Sequence, residues 1–431
     1  MRAAFHTLGC KVNAYETEAI KSGFVREGFQ IVGFEEVADV YVVNTCTVTS
    51  AGDKKSRQAI QRAKKQNPKA LVVAAGCYAQ TAPGDLASLA EVDLIVGTAG
   101  KSRIPAQVMQ MLSGENSIER QQVKNIMQDH DYEIMHADIM EDRTRAVIKV
   151  QDGCSRFCSY CIIPFARGPS RSRPVSQVLK EAEAMAERGF KEIVLTGIHL
   201  SSYGLDLNKE ILLGDLAAKV TDVPGIERVR MGSLDPEFAD ETFVRKIAGS
   251  PKICPHFHLS LQSGCDSVLE RMNRHYRSQD YRHSVERLRV AFPEASITTD
   301  IMAGFPGETG EEFLASYNFV ESMQFAKTHI FPYSPRKGTR AARMTDPVPE
   351  NEKARRSRAY LELDRIQSKA YHCRFIGKMN EVLFETELEG LTPQYVRVTV
   401  GHVTGEERLQ GQIRRVLITS ASSDGLEGEL A

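Results

Sequence analysis

Along the first part of the chain, apolar residues fall into two alternating patterns: short unbroken runs, and longer stretches in which they recur every three or four positions. RAAFHTLGC (2–10) reads as a strand ending at Cys10, and NAYETEAIKSGFVREG (13–28) as a helix with Asn13 as candidate N-cap and Gly28 as its stop. DVYVVNTC (39–46) is a strand ending at Cys46, DKKSRQAIQRAKKQN (53–67) a charged amphipathic helix, ALVVAAGC (70–77) a strand ending at Cys77, and LIVG (94–97) a fourth strand. Such alternation implies a parallel sheet with helices on its faces. The stretch 113–145 is polar, lacks clear periodicity and reads as a linker.

A second alternation begins at residue 146. Its strands are AVIKV, EIVLTGI (192–198), RVRMGSL (228–234), HFHLSLQ (256–262), SITTDIMAG (296–304) and THIFPYS (328–334), with helical spacing over 176–189, 240–249, 280–292 and 310–323. Six βα units are fewer than the eight that close a full barrel, and the open side suits a macromolecular substrate. A long basic helix is expected over 351–375, followed by the short strands of NEVLFETELEG, YVRVTVGHV and GQIRRVLITS. The expected fold is therefore α/β: an N-terminal open parallel α/β domain (1–112), a linker (113–142), a central partial (βα)6 barrel (143–375) and a small C-terminal β module (376–431).

Composition adds limits. The chain has 431 residues, 42% hydrophobic and 26% charged, with a formal net charge of −1, which excludes a globally basic nucleic-acid binder but not local patches. Lys11, Glu16, Glu18 and Lys21 interrupt any leader-like apolar run, and no apolar run is long enough to cross a bilayer, so a cytoplasmic location with no membrane partner is expected. Nine cysteines are then not expected to form disulfides. Cys254, Cys265 and Cys373 stand alone and read as free thiols.

The other six have positions that suggest chemistry. Cys10, Cys46 and Cys77 each stand just past an apolar strand, in TLGC, VNTC and AAGC, at the ends that share one edge of a parallel sheet. Cys154, Cys158 and Cys161 form a Cys-x3-Cys-x2-Cys triplet just after the first barrel strand. A four-iron cluster on three thiolates keeps one iron open for a substrate or cofactor. The alternative is a zinc site completed by a distant histidine.

Cys-x3-Cys-x-Tyr-Cys, with Tyr160 as its aromatic residue, resembles the radical S-adenosylmethionine superfamily. GCSRFCSYCIIPFARG with SRSRP, together with HTLGCKVN, NTCTVT, GCYAQ, HLSLQSG, GFPGET and FPYSPRKGT, resembles the methylthiotransferases of that superfamily over residues 1 to about 375. Ser155 and Ser260 depart from the family pattern without removing a ligand. HTLGCKVNAYETEAI and DKKSRQAI look most like the branch that acts on N6-threonylcarbamoyladenosine in tRNA; sister branches act on isopentenyladenosine in tRNA or on a ribosomal-protein aspartate.

The resemblance implies two [4Fe–4S] clusters. One, on Cys154, Cys158 and Cys161, would cleave S-adenosylmethionine to a 5′-deoxyadenosyl radical. The other, on Cys10, Cys46 and Cys77, would carry the sulfur, with a second S-adenosylmethionine as methyl donor. The expected product is the 2-methylthio nucleoside at C2 of the adenine beside the tRNA anticodon. The expected partners are the tRNA anticodon loop, a flavodoxin- or ferredoxin-like electron donor and an unidentified sulfur donor.

Tyr160, Thr196, Gly197, Ser233, Gln262 and Gly304 are the candidate cofactor contacts. Arg143, Arg145, Arg167, Arg171, Arg173 and Arg336 are the candidate RNA contacts, with Phe165, Tyr203 and Tyr333 as candidate base-stacking residues. The C-terminal module resembles a TRAM domain, yet four Lys/Arg against nine Asp/Glu from Met379 to Ala431 make it a poor phosphate binder. A different class of reading is a metal-stapled RNA-binding protein without catalysis, which leaves two three-ligand sites unexplained. Cys158→Ala is expected to remove one cluster and all cleavage of S-adenosylmethionine, assayed anaerobically as 5′-deoxyadenosine; continued production would refute the assignment of the triplet.

Overall fold

The computed structural model describes residues 1–114, 118–137, 144–401 and 408–431. The chain forms two compact units: Met1–Glu141, Gln151–Arg173 and Ser334–Ala342 make the first, and Asp142–Val150, Pro174–Tyr333 and Arg343–Ala431 the second.

The first unit opens with β1 (Arg2–Thr7), α1 (Lys11–Arg26), β2 (Gln30–Val32), β3 (Val40–Thr45), α2 (Ser50–Gln66) and β4 (Leu71–Gly76). Two short helices, α3 (Cys77–Thr81) and α4 (Pro83–Ala87), precede β5 (Leu94–Val96), α5 (Ile104–Leu112) and β6 (Gln121–Gln122). The six strands form one parallel sheet in the order β2-β1-β3-β4-β5-β6. Every residue of β3 is buried, as a central strand covered on both faces requires, and this is why it reads as an unbroken apolar run. Helix α1 begins at Lys11 with Cys10 as its N-cap, two residues before the expected start. Asn13 is therefore a buried helical residue whose amide is free for another task. Helix α2 starts earlier than its charge pattern suggests, because Thr49 accepts from the Gly52 amide at 3.2 Å.

The polar stretch after residue 112 carries the edge strand β6, buries the isolated apolar residues Ile126, Met135 and Ala137, and is also fastened by side-chain to backbone bonds. Tyr15 Oη donates to the Met135 carbonyl at 2.7 Å, and the Glu133 carboxylate accepts from the Gly100 and Ser102 amides at 3.0 and 2.8 Å. Such bonds leave no periodic signature in a sequence.

Strand β7 (Arg145–Lys149) belongs to the second unit. The chain then returns to the first through a ribbon of β8 (Gln151–Asp152) and β9 (Arg171–Ser172), which encloses the cysteine triplet and the short helix α6 (Ile163–Arg167). The second unit continues with α7 (Val175–Glu187), β10 (Glu192–Thr196), α8 (Leu213–Thr221), β11 (Arg228–Met231), α9 (Glu241–Ala248), β12 (His256–His258), α10 (Asp266–Arg271), α11 (Ser278–Ala291), β13 (Ser296–Ala303), α12 (Gly310–Met323), β14 (Lys327–Pro332) and α13 (Glu350–Cys373). The six strands are parallel and fall into two triplets, β11-β10-β7 and β12-β13-β14. Single parallel bridges, Val229 to Ile253 and Leu234 to Leu259, join the triplets. Regular pairing of β12 stops at His258; beyond it Gln262 turns to φ +69° while bridging Ile301. Helix α12 starts with a reciprocal capping box, the Glu312 amide to Thr309 Oγ1 at 3.1 Å and the Thr309 amide to Glu312 Oε2 at 3.0 Å.

The C-terminal module is a closed barrel of β15 (Met379–Phe384), β16 (Glu389–Leu391), β17 (Arg397–Val400), β18 (Ile413–Ala421) and β19 (Leu426–Leu430), ordered β15-β16-β17-β19-β18. Two buried arginines on β11 fasten it to the parallel strands. Arg228 donates to the Leu391 and Glu381 carbonyls at 3.2 and 3.1 Å. Arg230 donates to the Pro393 carbonyl at 2.9 Å, pairs with buried Glu192 at 2.7 Å and lies 4.8 Å from the centre of the Tyr395 ring. Among the described residues no helix is long and apolar enough to cross a membrane.

Arg230→Met strands the Glu192 carboxylate in the interior and is expected to cost about 3 kcal/mol. Arg230→Met with Glu192→Leu should recover a large part of that loss, because neither charge then remains buried. Denaturant midpoints of the single and double variants make the comparison; a double variant no better than the single one counts against a buried-charge penalty.

Candidate functional site

Strands β1, β3 and β4 are adjacent and parallel, so their C-terminal ends meet at one edge of the sheet. Cys10 caps α1 there, Cys46 follows β3, and Cys77 is the first residue of α3. Glycine is required beside them. Gly9 has φ +97°, and a Cβ on it would come within 2.8 Å of Cys46 Sγ; Gly76 has φ +100°, and a Cβ on it would come within 2.5 Å of Asn44 Oδ1. Cys10 is exposed, Cys46 half-buried and Cys77 buried. Burial pushes the Cys46 and Cys77 thiols up, and the neighbouring thiols push the same way, while the Arg167 cation opposes both.

Arg167, at the end of α6, is fully buried within this unit. Its five N–H groups all have acceptors. Nε donates to Cys77 Sγ at 3.4 Å; Nη1 donates to Glu16 Oε1 at 2.6 Å and to both Asp152 oxygens at 3.2 Å; Nη2 donates to Glu16 Oε2 at 3.0 Å and to Asn13 Oδ1. Glu16 also pairs with buried Lys101. Burial pulls the guanidinium down, yet Cys77, Glu16 and Asp152 hold it well above its ordinary value. Asn13 in turn donates to the Leu8 carbonyl at 2.7 Å and the Thr45 carbonyl at 3.0 Å, two residues before Cys10 and one before Cys46.

The cysteine triplet occupies the loop between β8 and α6. Gly153, at φ +72°, lets the backbone approach Pro169, whose carbonyl oxygen would be 1.9 Å from an added Cβ. The loop is tied by the Cys154 amide to the Gly168 carbonyl at 3.0 Å and by the Ala341 amide to the Ser159 carbonyl at 2.7 Å. All three thiols are half-buried. Phe157 sits at φ +50°, and its exposed ring meets the exposed ring of Phe165 edge-on at 6.0 Å. Among the described residues no three His, Cys, Asp or Glu side chains gather about one point to hold a single ion. That observation concerns one ion; a cluster takes each thiolate on a different iron. The donor sets, three thiols at one sheet edge and three in one loop, fit two such clusters in number and kind.

In the second unit Thr196 is buried at the end of β10, Gly197 is half-buried and Ser233 exposed. Gln262 is buried, and among the described residues no donor reaches its Oε1. Gly304 has φ +73°, and a Cβ there would lie 2.4 Å from Lys353 Cγ of α13. Tyr160, in the first unit, is half-buried. His199, Asp235 and Arg274 were not anticipated. Asp235 accepts from Arg274 at 2.8 Å and lies 2.8 Å from His199 Nε2. His199 and Asp235 are signalled in the sequence only by polarity just past strand ends, and Arg274, just past α10, carries no such signal.

The arginines expected to meet RNA, where they lie among the described residues, have partners within the protein. Arg143 lies outside the described residues. Arg145 pairs with Glu385 at 2.7 Å and lies 5.2 Å from the centre of the Tyr395 ring, holding the C-terminal barrel. Arg167 has no N–H left for a substrate. Buried Arg171 donates to the Arg167 carbonyl at 2.8 Å, and buried Arg173 lies 3.4 Å from Tyr15 Oη. Arg336 bonds Thr47 at 2.6 Å and Asp53 at 2.7 Å. A charge run in sequence became internal wiring because its neighbours in the fold are carboxylates and carbonyls. Tyr203 and Tyr333 are likewise buried, while Phe165 is exposed.

Comparison with known proteins agrees with this geometry. Residues 2–97 match the uncharacterized protein family UPF0004, and residues 148–320 match the radical SAM superfamily. A Bacillus subtilis protein named threonylcarbamoyladenosine tRNA methylthiotransferase MtaB is 41% identical over 99% of this chain and 95% of its own. The Aquifex aeolicus protein of the same name is 40% identical over 92% of this chain and 96% of its own. A tRNA-2-methylthio-N(6)-dimethylallyladenosine synthase of Thermoanaerobacter pseudethanolicus is 31% identical over 98% of this chain and 91% of its own. The radical S-adenosylmethionine methyltransferase TsrM of Kitasatospora setae, solved with cobalamin and a [4Fe-4S] cluster, superposes with a TM-score of 0.58 at 17% identity, over 78% of this chain and 76% of that one, and shares the fold.

The unpartnered Gln262 oxygen yields a test. Asn tolerates positive φ, so Gln262→Asn should fold normally while withdrawing the oxygen by one methylene. It is expected to weaken S-adenosylmethionine binding about tenfold, the loss of one hydrogen bond. Calorimetric titration of reconstituted protein reads this directly, and unchanged affinity removes Gln262 from the cofactor site.

Proposed function

Because this chain belongs to the radical S-adenosylmethionine tRNA methylthiotransferases, we propose that its substrate is the N6-threonylcarbamoyladenosine immediately 3′ of a tRNA anticodon, converted at C2 to the 2-methylthio form. The observation that carries the reading is the pairing of two three-cysteine sets within one compact unit, one at a sheet edge and one in a loop. The choice of nucleoside rests on the name shared by relatives 34–41% identical to this chain.

In this reading Cys154, Cys158 and Cys161 hold one [4Fe–4S] cluster and Cys10, Cys46 and Cys77 a second. When bound, the clusters and two molecules of S-adenosylmethionine supply the hydrogen-abstracting radical, the sulfur and the methyl group. The chain supplies position and exclusion of water. Buried Gln262 offers an acceptor to the cofactor. Phe157 and Phe165, 44% and 45% exposed beside the triplet, offer flat apolar faces to a base drawn out of its stack. An anticodon-loop base is unpaired and costs only a few kcal/mol to unstack. A flavodoxin- or ferredoxin-like donor would deliver the electron.

Purified reconstituted protein is expected to methylthiolate tRNA bearing threonylcarbamoyl in preference to tRNA bearing isopentenyl and to unmodified tRNA, read by mass spectrometry of nucleosides. Preference for the isopentenyl species would overturn the choice of nucleoside. In the same assay, replacing Cys10, Cys46 and Cys77 by Ala should stop methylthiolation while 5′-deoxyadenosine is still formed; product from that variant would refute a sulfur-carrying second site.

A further inference from the structure

We propose that Arg167 is a positioning residue of the N-terminal cysteine site, which it holds together and whose cluster it tunes through a hydrogen bond to Cys77. The proposal rests on the reading that Cys10, Cys46 and Cys77 carry a cluster. Arg167 comes from the loop region of the other triplet, six residues after Cys161. Its Nε–H points at Cys77 Sγ, 3.4 Å away. Its Nη2 reaches Asn13, whose amide fixes the Leu8 and Thr45 carbonyls beside Cys10 and Cys46. One guanidinium therefore contacts one candidate ligand directly and governs the turns that present the other two.

The backbone of the segment is also tied down. Thr98 Oγ1 donates to the Ala166 carbonyl at 2.6 Å, and Arg171 Nη2 donates to the Arg167 carbonyl at 2.8 Å. Glu16 and Asp152 neutralise the cation, so its N–H groups are oriented while its charge is balanced. An N–H donated to a cluster sulfur stabilises the more negative, reduced state and raises its potential. Lysine keeps the charge but has three donors instead of five and no planar fork, so it cannot bond Cys77, Glu16, Asp152 and Asn13 together.

The experiment uses full-length protein with Cys154, Cys158 and Cys161 replaced by Ala, so that the N-terminal cluster is the only paramagnetic centre. The protein is labelled with 15N-arginine, reconstituted anaerobically and reduced with dithionite. Pulsed electron paramagnetic resonance should show a 15N coupling, and Arg167→Lys should abolish it, change the g-values and shift the midpoint potential to a more negative value. Absence of the coupling in protein that retains Arg167 overturns the proposal even where the lysine variant fails to fold. An unchanged potential in a folded, fully loaded Arg167→Lys variant also overturns it. Failure to load any cluster with Arg167 present would overturn the two-cluster reading itself, a separate result visible in the iron content.

Discussion

A charge removed from water must find partners for all its hydrogen-bonding capacity, and in this protein that requirement acts most strongly at Arg167. Its side chain has 0% exposure, as has that of Lys101, and Glu16 between them has 1%. Breaking such a set by removing one member leaves an uncompensated interior charge. The observed arrangement of α1, the β8–β9 ribbon and the cysteine-bearing turns satisfies all five guanidinium donors at once. The geometry of the sheet-edge cysteines follows from that demand as much as from the strands that carry them.

The second unit applies the same rule for a different purpose. Arg228 and Arg230 emerge from β11 toward the carbonyls of the small barrel, with Glu192 balancing the charge. Arginine suits this position because its fork satisfies several carbonyls in one plane. The barrel, rich in acidic residues, is thus fastened by cations from its neighbour and need not contribute long-range attraction for RNA. Helix α13 behaves similarly: Arg356 bonds the Glu308 carboxylate at 2.6 Å, while Arg355 and Arg365 pair with Glu352 and Glu362 one turn away. Its basic run is partly structural and partly a solvated face.

What the sequence by itself determined is what depends on local periodicity and on the chemistry of single residue types. The parallel sheet and the six βα strands were legible because central strands must be apolar throughout and amphipathic helices must repeat every 3.6 residues. The two cysteine triplets were legible because thiols at strand ends and at Cys-x3-Cys-x2-Cys spacing have few other uses. The last strand, Leu426–Leu430, and the edge strand at Gln121 escaped notice because each is held by neighbours and carries little pattern of its own. Only the tertiary structure decided what the arginines do. Arg145, Arg167, Arg171, Arg173 and Arg336 look alike in a basic stretch, and a guanidinium bonds phosphate, carboxylate, carbonyl or sulfur with similar readiness. Which of these it meets is set mostly by residues 15 to 289 positions away in the chain, from the Asp152 and Glu16 partners of Arg167 and the Glu385 partner of Arg145 to the Thr47 partner of Arg336, and long-range neighbours are what a sequence read locally does not contain.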